Sequence, residues 1–173
     1  YHRAGNASLT ESVAAQGIDL EGIPSDDAQA SWQQQSVGFP RIQGAAVAAG
    51  CQLVATCDLA VAADVATFAL PGVRAGIFCT TPGVAVARNL PRKRTFELLV
   101  TGDSIDATTA ERWGLVNRVV PAAELDAEVE RLARRIASHS AAVVSLGKRL
   151  FYRQVDEPLA EAYATASEGM VCN

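Results

Sequence analysis

Between Ile42 and Leu53 the chain reads IQGAAVAAGCQL, mostly small residues with a glycine near each end. Small side chains let backbone approach backbone, or backbone approach a ligand. The run reads as a tight turn feeding a short helix, and a helix start carries free N–H groups at the positive end of its dipole. Such donors can hold an oxygen on which negative charge develops. Composition alone favours the plainer alternative, a helix buried by close packing. Gln52 in this run can orient a water or a carbonyl by hydrogen bonding, or it can bond local backbone. Asp58 has the chemistry of a general base, but its place at a helix-to-strand corner favours a structural role. Cys79 would need a lowered pKa to react, and Arg74 is the only cation near it in sequence, so a buried inert thiol is expected. Arg88, Arg92, Lys93 and Arg94 form the densest basic cluster, able to meet phosphates or simply to face solvent.

The elements that must position these residues follow from pattern. Short strands are expected at Asp58–Ala63, Thr67–Leu70 and Leu115–Val120. Thr80–Gly83 reads as a turn opening a helix over Val84–Asn89. A helix around Arg94–Val100 ends at Gly102, and Asp106 caps a short helix that stops at Gly114. Three helices close the chain. Glu124–Ser138 places Leu125, Val129, Leu132 and Ile136 on one stripe. Ser140 caps Ala141–Gln154, with Val143, Val144, Leu150 and Phe151 inward. The last helix has Pro158 in its first turn and Leu159, Ala162, Tyr163, Ala166 and Met170 on one side. Trp113 is expected in the core beside Leu115.

Composition bounds the rest. At 173 residues and 49% apolar, one domain with a sizeable core is expected. No apolar run is long enough for a membrane helix. Fifteen basic and 19 acidic side chains leave a net charge of −4, which argues against nucleic acid. Cys51, Cys57, Cys79 and Cys172 lack metal-ligand spacing, and neither His2 nor His139 lies beside them, so no metal is expected and reduced thiols in an intracellular protein are. Residues 1–38 are polar, contain one Arg and five acids, and lack a sustained period. They read as a mostly disordered segment with a possible helical turn at Leu9–Ala15 and one aromatic anchor, Trp32. Tyr1 opens the chain with no signal peptide, which reads as a removed targeting segment or a fragment.

Three segments in order resemble one family. Gly44–Asp58 resembles the crotonase (enoyl-CoA hydratase/isomerase) signature. Phe68–Arg92, FALPGVRAGIFCTTPGVAVARNLPR, looks like its second active-site segment, and Leu98–Pro121, LLVTGDSIDATTAERWGLVNRVVP, is similar to its TG…A…A…GLV…VVP segment. The resemblance implies an α/β fold of the crotonase (ClpP/crotonase) β-spiral type. It implies the C-terminal part of that fold over 39–173, with spiral core at 39–121 and a helical trimerisation region at 122–173. It implies a fatty acyl-CoA thioester as substrate or ligand, no separate cofactor, self-association as a trimer or hexamer, and a mitochondrial or bacterial cytoplasmic setting. By position, the backbone N–H of Ala49 is the oxyanion donor, and Ala45, Ala46, Ala48, Ala49, Pro71 and Cys79 line the substrate. The family's two glutamates fall on Gln52 and Gly72, neither of which exchanges protons near neutrality, and the family's N-terminal donor loop has no counterpart in 1–38. The resemblance therefore implies either an enzyme of the lyase/isomerase type with impaired hydration, or a non-catalytic acyl-CoA-binding or oligomer-forming homologue, or a truncated inactive product.

Overall fold

The computed structural model describes residues 18–19 and 37–171. The expectations for Leu9–Ala15, Trp32 and most of 1–38 lie outside those residues, as do those for His2 and Cys172. Two compact units divide the described residues: 18–19 with 38–130, and 37 with 131–171.

The first unit holds two small sheets. One has the order β1 (Ile18–Asp19), β2 (Arg41–Ile42), β4 (Val61–Ala63), β7 (Arg118–Val120); β1 runs antiparallel to β2, and the other pairs are parallel. All three residues of β4 are buried, as expected of a strand inside a parallel sheet covered on both faces. The other sheet has the order β3 (Ala45–Val47), β5 (Thr67–Ala69), β6 (Ser104–Asp106), parallel then antiparallel. Phe68 of β5 is the largest fully buried side chain among the described residues. It anchors the core with Ile42, Leu70, Val86 and Leu98.

Helix α1 (Ala49–Thr56) turns Gly50, Cys51, Val54 and Ala55 inward. These small residues bring it close to α2 (Thr80–Asn89), and the Asn89 amide ties the pair, donating to the carbonyls of Ala55 at 2.7 Å and Ala85 at 2.9 Å. Helix α2 begins at Thr80, earlier than the expected Val84, because Pro82 in the first turn costs no helical hydrogen bond. Helix α3 (Arg92–Thr101) ends on Gly102 at φ 68°, and α4 (Ala107–Trp113) on Gly114 at φ 93°. Asp106 caps α4 as read from sequence: its Oδ1 accepts the Thr109 N–H at 2.7 Å. The hydrogen bonds with Thr109 hold that carboxyl below its ordinary pKa.

Three expectations are corrected here. Ala45–Val47, read as turn, is a strand, because all three residues pair with Thr67–Ala69 in parallel register. Strand β4 starts at Val61 instead of Asp58. Asp58–Ala60 are held by other means: Asp58 Oδ2 accepts the Gly38 N–H at 2.7 Å, and Asn117 Oδ1 accepts the Ala60 N–H at 2.7 Å. Asp58 thus sits at a structural corner. Strand β7 is the short Arg118–Val120.

Helix α5 (Leu125–Ala137) shows its expected stripe, with Leu125 and Leu132 buried and Val129 and Ile136 half-buried. Sequence placed the change from spiral to helices at 121/122, whereas the compact units part at 130/131. The early turns of α5 belong to the first unit through ion pairs: Arg41 to Asp126 at 2.7 Å, and Arg118 to Glu128.

In the second unit α6 (Ala141–Gln154) packs on α7 (Leu159–Val171). Ser140 occupies the cap position of α6, but its side chain accepts no hydrogen bond there. The inward faces also differ from expectation. Val143 and Phe151 are more than half exposed, and so are Leu159, Tyr163 and Met170. Of the expected side of α7 Ala162 is buried, and it is joined there by Thr165 and Gly169. Gly169 lies so close to α6 that an added Cβ would fall 2.2 Å from a methyl of Leu150. Small residues give this close contact, which leaves the large apolar ones outside it. No helix among the described residues is long and apolar enough to cross a membrane.

Candidate functional site

The chain passes from β3 to α1 through one residue. Ala48 donates its N–H to the Ala69 carbonyl of β5 at 2.9 Å and accepts the Gln52 N–H at 3.0 Å. Between these anchors it adopts φ 50°, ψ −107°, a conformation that favours glycine, and it is the only non-glycine with positive φ among the described residues. Strain of this kind costs about 1–3 kcal/mol and persists only where the surroundings impose it. Its effect is directional, since ψ at Ala48 sets the plane of the peptide whose N–H belongs to Ala49. That N–H opens α1 and meets no backbone acceptor among the described residues. Ala48→Gly should remove the strain. Against a loss of about 0.4–1 kcal/mol through the freer unfolded chain, we expect a net stabilisation of about 1 kcal/mol, read as a Tm a few degrees higher. A lower Tm would contradict the strain.

Gln52 follows Ala49 by three residues, so the two share a face of α1, and both are half-buried. The Gln52 carbonyl accepts from Thr56 Oγ1 at 2.8 Å. Its side-chain amide makes no hydrogen bond to a described residue, so the local backbone bond open to it in the sequence reading is not formed. On β3, Ala45 is exposed while Ala46 is fully buried in the core. Strand alternation puts them on opposite faces, so a substrate-lining role for the Ala46 side chain is not available in this conformation.

Pro71–Ala75 forms a 3-10 turn, and the chain then folds back on itself to Cys79. Gly72 donates its N–H to Cys79 Sγ at 3.2 Å, and its carbonyl accepts from Ile77 at 3.0 Å. A Cβ on Gly72 would lie 2.8 Å from Cys79 Sγ, 2.9 Å from the Ile77 carbonyl oxygen and 3.0 Å from the Cys79 nitrogen. The place a carboxylate would occupy is therefore closed by the thiol and the backbone beneath it. The residue types at 72 and 79 gave no sign of this contact. A glycine seven residues before a buried cysteine is the only trace it leaves in the sequence.

Cys51, Cys57 and Cys79 are buried and stand outside any disulfide. Burial pushes the Cys51 thiol up to about 12, and the neighbouring Cys79 adds to the effect. A neutral buried thiol is a poor nucleophile, so Cys51 should be slow to react. Native protein at pH 8 should leave Cys51 unalkylated, and unfolded protein should label it. Stability from this group is complete below the unfolded thiol's value of 9.0 and is lost as pH rises toward about 12. Cys51→Ala should flatten that alkaline limb of Tm against pH. Rapid native labelling of Cys51 would overturn the assignment. Among the described residues, no group of three His, Cys, Asp or Glu could hold a metal ion.

The sequence pattern of the enoyl-CoA hydratase/isomerase family matches residues 12–171. The chain belongs to that family. The match takes in part of the stretch before residue 38 that showed no likeness by motif. Within the family the motif segments look closest to the subgroup called enoyl-CoA hydratase domain-containing protein 3, and relatives of that name match. The human mitochondrial protein is 55% identical over 132 residues, covering 76% of this chain and 44% of its own length. Its crystal structure superposes with a TM-score of 0.72 at 56% identity, over 73% of this chain and 50% of that one. An enoyl-CoA hydratase from Mycobacterium smegmatis gives a TM-score of 0.82 at 38% identity, over 96% of this chain and 79% of that one. The fold is therefore the crotonase fold of the family, and the chain spans under half the length of the curated relatives it matches.

Proposed function

We propose that this chain binds a fatty acyl-CoA thioester, with the Ala49 N–H directed at the thioester oxygen, and that it does not hydrate enoyl-CoA at a rate ordinary for the family. The observation that carries the reading is the strained, anchored Ala48, which aims an N–H lacking a backbone acceptor among the described residues. Preorganised donors of this kind stabilise charge that grows on an acyl oxygen. Against hydration stand Gln52 and Gly72 in place of two proton-transfer groups, and the space at Gly72 is filled. No separate cofactor enters this reading; the coenzyme A thioester is itself the ligand. A mitochondrial setting is proposed only from the relatives named so. Calorimetry with a panel of acyl-CoAs, run beside an enoyl-CoA hydration assay, tests it: binding without turnover supports the reading, and absence of both contradicts it.

A second reading, self-association without chemistry, rests on α6 and α7. Val143, Phe151, Leu159, Tyr163 and Met170 are exposed at 52, 55, 76, 69 and 73%, and soluble monomers seldom display so much apolar surface on neighbouring helices. Sedimentation at micromolar concentration should show a trimer or larger species. A stable monomer would contradict it.

A further inference from the structure

The start of α3 and the end of α4 enclose an open groove of about 810 Å³, lined by Pro91, Arg92, Lys93, Arg94, Glu97, Arg112 and Trp113. Four cations meet one acid there, in a chain whose net charge is −4. That acid is already engaged, since Glu97 pairs with Arg94 at 3.0 Å. The Arg94 guanidinium also lies over the Trp113 ring at 4.8 Å. The two contacts fix its plane while leaving it half exposed.

Arrangement along the helix makes the positive charge unusual. Cations belong near a helix C-terminus, where they complement the dipole, and acids near the N-terminus. Helix α5 follows that rule, with Asp126 and Glu128 in its first turn and Arg134 and Arg135 in its last. Helix α3 inverts it: Arg92, Lys93 and Arg94 fill the first turn, no acid lies there, and Pro91 offers no side-chain cap. The Pro91 carbonyl accepts from Arg94 at 2.9 Å and Thr95 at 3.1 Å, so the N–H groups of Arg92 and Lys93 have no backbone acceptor among the described residues. Thr95, in the next position, holds the one buried side-chain polar atom that lacks a hydrogen-bond partner among the described residues. Like charges gathered at a positive dipole end repel one another, and an anion in the groove reverses that cost.

We propose that this groove binds a phosphate dianion, free or as a monoester, held by Arg92, Lys93, Arg94 and Arg112. A fixed guanidinium offers two parallel N–H bonds to two phosphate oxygens, and the lysine and the second arginine supply charge. A small dianion fits better than a nucleic-acid strand, because the basic surface is one groove on an acidic chain. The phosphate can come from the free anion or from the 3′-phosphate of a coenzyme A nucleotide. The inference does not depend on the thioester reading, because an acyl-pantetheine lacks this phosphate and still tests Ala49.

The experiment titrates the full chain with inorganic phosphate at low salt by calorimetry, and follows Tm. The expected result is saturable binding and a Tm that rises with phosphate. Arg92→Gln with Lys93→Gln should weaken binding by about tenfold or more. Its Tm without phosphate should equal or exceed that of the parent, because the dipole conflict is gone, so lost binding cannot be ascribed to misfolding. Arg88→Gln, outside the groove, should bind as the parent does. Competition by coenzyme A but not by dephospho-coenzyme A assigns the phosphate to the nucleotide; competition by neither assigns it to the free anion. No binding up to about 10 mM, or equal binding by the double variant, would overturn the proposal.

Discussion

Purified protein given a short-chain enoyl-CoA is expected to hydrate it at least about 10²–10⁴ times more slowly than a family member with both glutamates, the usual cost of losing a positioned acid or base. Hydration needs one group that activates water and another that delivers a proton to the alpha carbon. Gln52 offers only an amide, which does not titrate near pH 7, and Gly72 offers no side chain. The two losses need not multiply, because such groups act as a unit. The geometry adds that the second loss cannot be reversed by one substitution. Gln52→Glu can restore one carboxylate on the face it shares with Ala49, and we expect little recovered rate from it alone. Gly72→Glu must push Cys79 and the Ile77 carbonyl aside, so the double change should damage the fold before it adds a proton donor. Loss of enoyl absorbance over time checks the rate. Robust turnover by the unaltered chain would sink this prediction.

Gly72→Ala should cost about 2–3 kcal/mol or more, the upper part of the range for overpacking, and lower Tm by several degrees. The reason is the kind of neighbour met. A flexible side-chain tip can step away, but the Ile77 oxygen and Cys79 nitrogen are backbone, 2.9 and 3.0 Å from the new methyl. Gly76→Ala is the control: its φ of 73° disfavours alanine, yet nothing lies within 4 Å of a Cβ there, so only about 1 kcal/mol is expected. Adding Cys79→Ala to Gly72→Ala removes the sulfur contact and leaves the backbone ones, so rescue should be partial. Full rescue, or a Gly72→Ala cost no larger than that of Gly76→Ala, would show that the turn is not closed over this position.

Local chemistry made much of this legible before any coordinates. Gly102 and Gly114 end their helices because glycine accepts positive φ, and Asp106 caps because a short acceptor before a helix finds a free N–H; each depends on near neighbours alone. The family was legible because three motif segments stand in order. The turn at Ala48 was legible only in outline. Ala45–Val47 forms a strand through pairing with Thr67–Ala69, some twenty residues away, and three small residues carry no strand signal of their own. The helical stripes misled at α6 and α7, where an apolar period says that a face seeks a partner but not which face finds one: the Gly169–Leu150 contact took Ala162 and Thr165 inward and left Tyr163 and Met170 outside. The closure of Gly72 by Cys79 and the stacking of Arg94 on Trp113 are products of tertiary approach, and no local pattern announces either.

The central claim is that the Ala49 N–H meets a thioester oxygen and that no hydration follows. It is tested most directly by following the Ala49 amide proton and nitrogen resonances while the full chain is titrated with a saturated acyl-CoA, then with free coenzyme A, then with an enoyl-CoA. The account predicts a saturable downfield shift at Ala49 with the acyl-CoA and none with free coenzyme A, and an enoyl-CoA that shifts the same resonance and stays unhydrated in the sample. Thioester binding that leaves Ala49 unmoved, or steady appearance of the hydrated product, would contradict it.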